Sequence, residues 1–407
     1  MLEWLPKKAD SPSTSIFLAA ALKKHDRTAE KATIHLIRSR MEQQDQPKMT
    51  NIIEVARHAG VSTATVSNVI RGTQRVSPRL QERVKEAIRK LDYHPNELAR
   101  SLKVKQTRML GMVIPDITNP FFPEMMRGAE DLAFDRGYFI TTANTDDRIE
   151  RERKIIYAMR SYRVDGILLA STSARETSHV RAAVDANTCV VCIDRKVRSV
   201  KTDAVLLDNV RGSREAITHL IESGHRRIAL ISGPLELQSA RERLRGYEQG
   251  LREAGIKPTP SLTYEGDFRS NSGYHLGKKI LSRHIPPSAI LISNGPMAIG
   301  FLRALEELKL RSPEDVALVT FDNISFDHLL QPHLTSVVQP SYEIGAKATN
   351  MLIDRIEGKL TGSPVIIRIR PTLIIRESSQ ARTVPRMPSK LRQQATAGKK
   401  TSAQCIP

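Results

Sequence analysis

The 407-residue chain predicts an α/β protein with a small helical head. Three observations carry that expectation. Three short helical patterns crowd together just after Met49, and from Met109 onward short apolar strands alternate with amphipathic helices. The positive charge is also uneven: residues 49–105 hold 11 Lys and Arg against 5 Asp and Glu, whereas 106–378 hold 37 against 33. A concentrated basic segment points to a polyanionic partner, and a balanced middle reads as an ordinary soluble domain. A chain of this length accommodates two or three domains with at least one sizeable core.

Taken in order, residues 1–48 are weakly periodic and predict an extension that is disordered or lies ahead of a true start at Met49 or Met41. The segment 49–95 reads as a three-helix head. Thr50 or Asn51 can cap the first helix, with Glu54 placed to reach back. Ile52, Val55, Ala56 and Ala59 share its apolar face. Gly60 tolerates the left-handed conformation that ends it. Ser62 is a good cap for TATVSNVI, in which Val66, Val69 and Ile70 form a narrow apolar stripe. Ser77-Pro78 opens a third helix that stops before Pro95. Two short helices separated by a turn of three or four residues predict a helix-turn-helix. Residues 96–106, beginning NELARSL, have good helix formers but too few of them for a helix stable alone, so this basic segment is a linker or folds on contact.

Between 107 and 378, runs such as MLGMVIP, YFITTAN, CVVCID, RRIALISG and DVALVTFD are near-continuously apolar. Such strands alternating with helices imply parallel sheets covered on both faces. About nine of them would form two doubly wound lobes with a ligand cleft at the strand carboxyl ends. The helix FFPEMMRGAEDLAFD turns Met126, Ala129, Leu132 and Ala133 inward, and MAIGFLRALEEL does the same with Ala298, Phe301, Leu302, Leu305 and Leu308. Cys189 and Cys192 are three apart on a strand and point to opposite faces, so they share no metal. Three cysteines in all suit a reducing, cytoplasmic setting. No apolar run approaches the length of a membrane span. The basic stretch 379–407 predicts a disordered tail without the Leu heptads of a coiled coil.

The motifs EVARHAGVSTATVS, VSPRLQERV, YHPNELARSL, IPDITNPFF, HLIESGHRRIALISGP, SARERLRGY, PEDVALVTFD and LTSVVQP, in that order, resemble the lactose/galactose-repressor family of bacterial transcription regulators. The resemblance runs from about Thr50 to Ser378. It implies a helix-turn-helix head, a hinge helix, and a two-lobed core of the periplasmic-binding-protein type. It also implies a repressor controlled by a small sugar-like effector, working as a homodimer on a pseudo-palindromic DNA operator, with no cofactor, metal, membrane or catalytic residue.

The second helix would enter the major groove, with Thr63 and Ala64 as its first exposed positions. Thr can hydrogen-bond a base edge or touch a thymine methyl, and Ala can only make apolar contact. Thr65 and Ser67 suit phosphate oxygens, or are merely surface polar groups. Asn68 stands where many members carry Arg or His, which alters the base preference. Asn51, Ser62 and Asn96 complete this DNA-facing set. In the hinge, Ala99 permits close approach of two copies, Arg100 and Lys103 face phosphates, and Leu102 matches the family's wedge between base steps.

Family effector contacts map onto Asn119, Phe121, Phe122, Asp194, Arg195, Arg243, Phe268, Asn294 and Asp322. Aromatic faces against a ring, with Asp, Arg and Asn binding hydroxyls, suit a sugar. Two bland readings stand beside this: either Phe as core, and Asp194–Arg195 as an ion pair between the lobes. Sugar-binding relatives usually follow Asn294 with Asp, and here Gly295 supplies no carboxylate. That loss beside two arginines shifts the expectation toward a sugar acid or phosphorylated sugar. A secreted solute receptor would explain the core but not the head. An enzyme is disfavoured because no nucleophile elbow, phosphate loop or metal motif is present.

Leu102→Ala is expected to weaken operator binding by roughly a few kcal/mol, the scale of unstacking a base step, while the effector domain stays folded. Gel shift and a bending assay check it, and unchanged affinity and bending would remove the wedge assignment.

Overall fold

The computed structural model describes residues 50–72, 76–94, 106–322 and 331–380. The extension 1–48, the hinge residues Asn96, Ala99, Arg100, Leu102 and Lys103, and the tail beyond 380 lie outside the described residues. The chain divides between Arg100 and Ser101 into two compact units.

The described residues of the first unit form a three-helix head, with α1 (Ile52–Ala59), α2 (Thr63–Arg71) and α3 (Pro78–Lys90). Asn51, not Thr50, caps α1. Its side chain accepts from the Ile53 and Glu54 N–H groups, and Glu54 accepts from the Asn51 N–H in return. Gly60 ends α1 with a φ of 62°, in the left-handed region. Ser62 begins α2 by accepting the Thr65 N–H at 3.1 Å. Ser77 occupies the cap position of α3 but makes no side-chain cap bond, so Pro78 with its preset φ marks that start. Val55, Ala56, Ala59, Val66, Val84, Ala87 and Tyr93 form the head's core. Thr50 Oγ1 donates to the Leu91 carbonyl at 2.9 Å and Arg83 to the Ala59 carbonyl at 2.5 Å, tying first, third and connecting segments together.

The second unit holds two six-stranded sheets. In the first lobe β1 (Met109–Ile114), β2 (Phe139–Asn144), β3 (Gly166–Leu169), β4 (Cys189–Ile193) and β5 (Asp203–Leu207) are joined by β11 (Ile366–Ile369), in the order β11-β5-β4-β3-β1-β2. In the second lobe β6 (Ile228–Ser232), β7 (Thr263–Glu265), β8 (Ala289–Ile292), β9 (Ala317–Phe321), β10 (Thr335–Val338) and β12 (Thr372–Ile374) run β12-β10-β9-β8-β6-β7. Every pairing is parallel except β10 with β12. In each sheet the first strand of the lobe lies inside the second, which places a topological switch point beside β1 and β6.

Among the described residues eight helices cover the sheets: α4 (Phe121–Asp135), α5 (Ile149–Ser161), α6 (Ser178–Asp185), α7 (Asn209–Glu222), α8 (Gln238–Glu253), α9 (Ser270–Leu281), α10 (Gly295–Glu307) and α11 (Ser341–Ile356). The chain crosses between lobes after β5, after β10 and after β11. Twelve strands among the described residues exceed the nine expected. The extra ones include β7, β11 and β12, which are sheet edges and so need no continuous apolar run. In α4 the buried methionine is Met125 rather than Met126, because Phe121, Phe122, Met125, Ala129 and Ala133 share the inward face. Cys192 is buried and Cys189 half-buried, both as free thiols on β4.

The α4–α11 crossing is close enough that a Cβ on Gly128 would strike the Tyr342 carbonyl, and one on Gly345 the Met125 carbonyl. Backbone cannot yield as a side chain can, so Gly345→Ala is expected to lower stability by about 1–3 kcal/mol, the usual cost of overpacking. Denaturant midpoints of the two proteins check it, and equal midpoints would mean the helices separate freely.

Candidate ligand cleft and DNA-facing helix

All nine residues nominated for the effector line a single cleft between the lobes, which as it stands encloses only ≈ 30 Å³. They meet there because parallel strands of both sheets end at the cleft. Asn119 follows β1, Asp194 and Arg195 follow β4, Phe268 follows β7, Asn294 follows β8 and Asp322 follows β9. Phe121 and Phe122 open α4, and Arg243 projects from the first half of α8. Asp194, Phe268 and Asp322 have φ of 59°, 65° and 72°. Non-glycine residues held in that region cost on the order of 1–3 kcal/mol each and persist only where their surroundings over-determine them.

Those surroundings are specific. Arg195 donates through Nε to Asp194 at 3.0 Å and through Nη1 to Asp147 at 3.2 Å. Burial opposes its charge, but the two carboxylates outweigh that and raise its pKa. All three residues belong to the first lobe, so Asp194–Arg195 is not an ion pair between lobes. On the other side, Arg243 donates through Nε to Asn209 Oδ1 at 2.8 Å and through Nη1 to the Ser293 carbonyl. Its guanidinium lies 4.1 Å from the Phe321 ring centroid. Burial lowers the Arg243 pKa, and Asp322 and Asp194 work against that. Asn294 caps α10 by accepting the Met297 N–H at 3.1 Å and donates to the Phe268 carbonyl at 2.8 Å.

Phe121 and Phe122 meet edge to face at 5.0 Å and serve both as lobe core and as cavity wall. Phe268 enters from the second lobe over Gly233, where any Cβ would collide with its ring. The Arg195 guanidinium lies 6.0 Å from the Phe268 centroid.

Gly295 opens α10 beside a second acid of the cleft. The Gly295 N–H donates at 3.1 Å to Asp322, whose buried carboxylate also accepts from Gln339. Burial raises the Asp322 pKa, with Arg243 opposing. The cavity wall then holds four carboxylates, from Asp116, Asp147, Asp194 and Asp322, against the guanidinium groups of Arg195, Arg243 and Arg269. A lining so balanced gives an acidic sugar no electrostatic advantage.

Residue reasoning missed Asp116, Asp147, Ser239, Arg269 and Gln339, which share the cavity wall. Arg269, on the second lobe, binds Asp116 at 2.7 Å and Asp146 and Asp147 at 3.3 Å, all on the first. The Lys196 N–H adds a bond to Gln238 at 3.0 Å across the same gap. Charged residues just past strand ends were the available signal for Asp116, Asp147 and Arg269.

In the head, Thr63 and Ala64 are exposed at the start of α2, with Thr65, Ser67 and Asn68 half-buried. The Ser62 and Thr65 hydroxyls lie 2.9 Å apart, and Ser62 Oγ is already committed as the helix cap. The Asn51 side-chain oxygen is likewise spent on α1.

Comparison with known proteins places these two parts in context. Residues 51–96 match the family model for bacterial regulatory proteins of the lacI family, and 217–379 match a periplasmic binding protein-like domain. The ribose operon repressor of Escherichia coli (strain K12) is 37% identical over 308 residues, which is 76% of this chain and 93% of that protein. The chain belongs to the lacI family of bacterial regulatory proteins. Among solved structures, a complex of the transcriptional regulator CelR with cellobiose is 32% identical, covering 81% of this chain and 99% of that one at a TM-score of 0.63. The lac repressor dimer bound to operator and the anti-inducer ONPF is 26% identical, covering 82% and 100% at a TM-score of 0.74. The lacI-family chain described here is thus a DNA-binding transcriptional regulator with a two-lobed effector core.

Arg269→Ala is expected to loosen the closed lobes. Hydrogen exchange should then quicken, by about fivefold or more if closure is a local opening equilibrium shifted by roughly 1 kcal/mol, at residues 115–119 and 145–148 but not in β1 or β6. Unchanged exchange at those loops would show that Arg269 holds nothing closed.

Proposed function

We propose that this lacI-family regulator is a homodimeric repressor whose effector is a neutral monosaccharide of the pentose class, ribose being the first to test. The observation that carries this reading is the small, charge-balanced cavity walled by Phe121 and Phe122 on one side and Phe268 on the other. Aromatic faces shield a sugar's carbon skeleton, while Asp194, Arg195, Arg243, Asn294 and Asp322 accept from and donate to its hydroxyls. The relationship to a ribose operon repressor supports the same choice.

On this reading residues 49–95 read the operator, 96–106 form the hinge and 107–378 hold the effector and the dimer contacts. Thr63, Ala64 and Asn68 face base edges, and Thr65, Ser67, Asn51 and Ser62 lie along the phosphates. Effector and operator share one conformational equilibrium, so each must alter the other's affinity by the same factor. The protein acts where its DNA is, in the cytoplasm. It carries out no chemistry, in line with relatives that are repressors.

Calorimetry of the full chain against ribose, ribonate and cellobiose tests the effector. Ribose should bind most tightly, and Asp194→Asn should weaken it by about 10- to 100-fold, the worth of one or two charge-assisted hydrogen bonds. Tighter ribonate or cellobiose binding would overturn the reading. In gel shift, saturating ribose should change operator retention while steep salt dependence is kept.

A further inference from the structure

Beside the proposed sugar cleft runs a second, more open groove of ≈ 670 Å³, also bounded by both lobes. Lys196, Arg198 and Lys201 line it from the loop after β4, and Arg241 and Arg245 line it from α8. Among the described residues none of these five cations forms an ion pair with a carboxylate within 4.0 Å. Arg241 donates only to the carbonyls of Leu235 and Glu236, at 2.9 and 2.5 Å. Its pKa is lowered first by burial and then by the positive charges of Arg198, Arg175 and Arg245, so these groups feel one another.

The one acid in the wall, Glu242, is already spent. It accepts from Arg368 at 2.9 and 3.2 Å and from Gln238 at 2.8 Å. Some cations elsewhere on the core are paired, as Arg136 is with Asp354 and Glu357, but these five share one concave wall. Like charges crowded into a concave wall raise its potential and attract a counter-ion.

The groove is tied to the sugar cleft by the chain itself. Lys196 follows the cleft residue Arg195, and on α8 Arg241 and Arg245 flank Arg243 two residues to either side, turned away from it. An anion here would touch both lobes and would draw them together around the sugar.

We propose that this groove is a second ligand site, for a small organic phosphate carrying at least two negative charges, and that its occupancy favours lobe closure. Guanidinium and ammonium groups from two sides suit a ligand with charge at both ends better than a single carboxylate. An anionic metabolite thus has a place on this protein, outside the sugar cavity. Because closure is shared, such a ligand and the sugar would raise each other's affinity.

Calorimetry of the full-length protein with inorganic pyrophosphate as probe tests the site. One equivalent per chain should bind, and it should raise the thermal midpoint. Arg198→Gln/Arg245→Gln removes one exposed cation from each lobe, neither with a side-chain hydrogen bond among the described residues. That variant should lose about tenfold or more in affinity, the scale of charge-assisted bonds, with the circular dichroism spectrum unchanged. Lys257→Gln/Lys279→Gln removes the same charge elsewhere on the second lobe and should bind as the unaltered protein does. No binding by the unaltered protein, equal loss in both variants, or unchanged affinity in the groove variant would overturn the proposal. Displacement of pyrophosphate by a random DNA duplex would also overturn it, since the groove would then belong to nucleic acid.

Discussion

The core of this regulator depends on charges kept out of water at the carboxyl ends of parallel strands. Arg195 and Arg243 are both nearly inaccessible, at 5% and 4% exposure, and a buried cation is tolerable only where partners replace its hydration. The two solve that requirement differently. Arg195 is held by the carboxylates of Asp194 and Asp147, whereas Arg243 is held by the neutral oxygens of Asn209 and Ser293 and by the face of Phe321. Each solution fixes a donor fork in space before any ligand arrives. Binding energy is then not spent on ordering flexible side chains.

The same charges set the electrostatic character of the cavity wall. Four carboxylates against three guanidinium groups leave the wall balanced, with directional bonds on offer but no strong field. Hydroxyl groups, which both donate and accept, can meet both kinds of partner on such a wall. The unbalanced field lies instead in the neighbouring basic groove, a few residues away along β4's exit loop and α8. The cleft and the groove therefore adjoin the same loop after β4 and the same helix α8.

Closure of the lobes is a small set of contacts laid over three covalent crossings. Arg269 reaches three aspartates, Lys196 reaches Gln238, and Arg368 on β11 reaches Glu242 on α8. Partly exposed ion pairs of this kind are individually weak because solvent screens them. That weakness lets a ligand with modest differential affinity decide between open and closed. A regulator needs that latitude, and an over-stable clamp would answer to no metabolite.

Much of this was legible in the chain. Alternating apolar strands and amphipathic helices announced the two-lobed core, and Asn51, Gly60, Ser62 and Pro78 marked the helices of the head, because caps and left-handed turns are local chemistry. The nine cleft residues were reached through motifs resembling a family, not through spacing. Asn119 and Asp322 lie far apart along the chain and become neighbours only when both sheets direct their strand ends at one gap. Edge strands such as β7 and β12 escaped notice because an edge needs no continuous apolar run. Tertiary structure alone decided the charge balance of the cleft, the partners of Arg269, and the contact of the Gly295 N–H with Asp322. Local order follows from propensities carried by each short segment, whereas the net charge of a site depends on distances between segments that only packing sets.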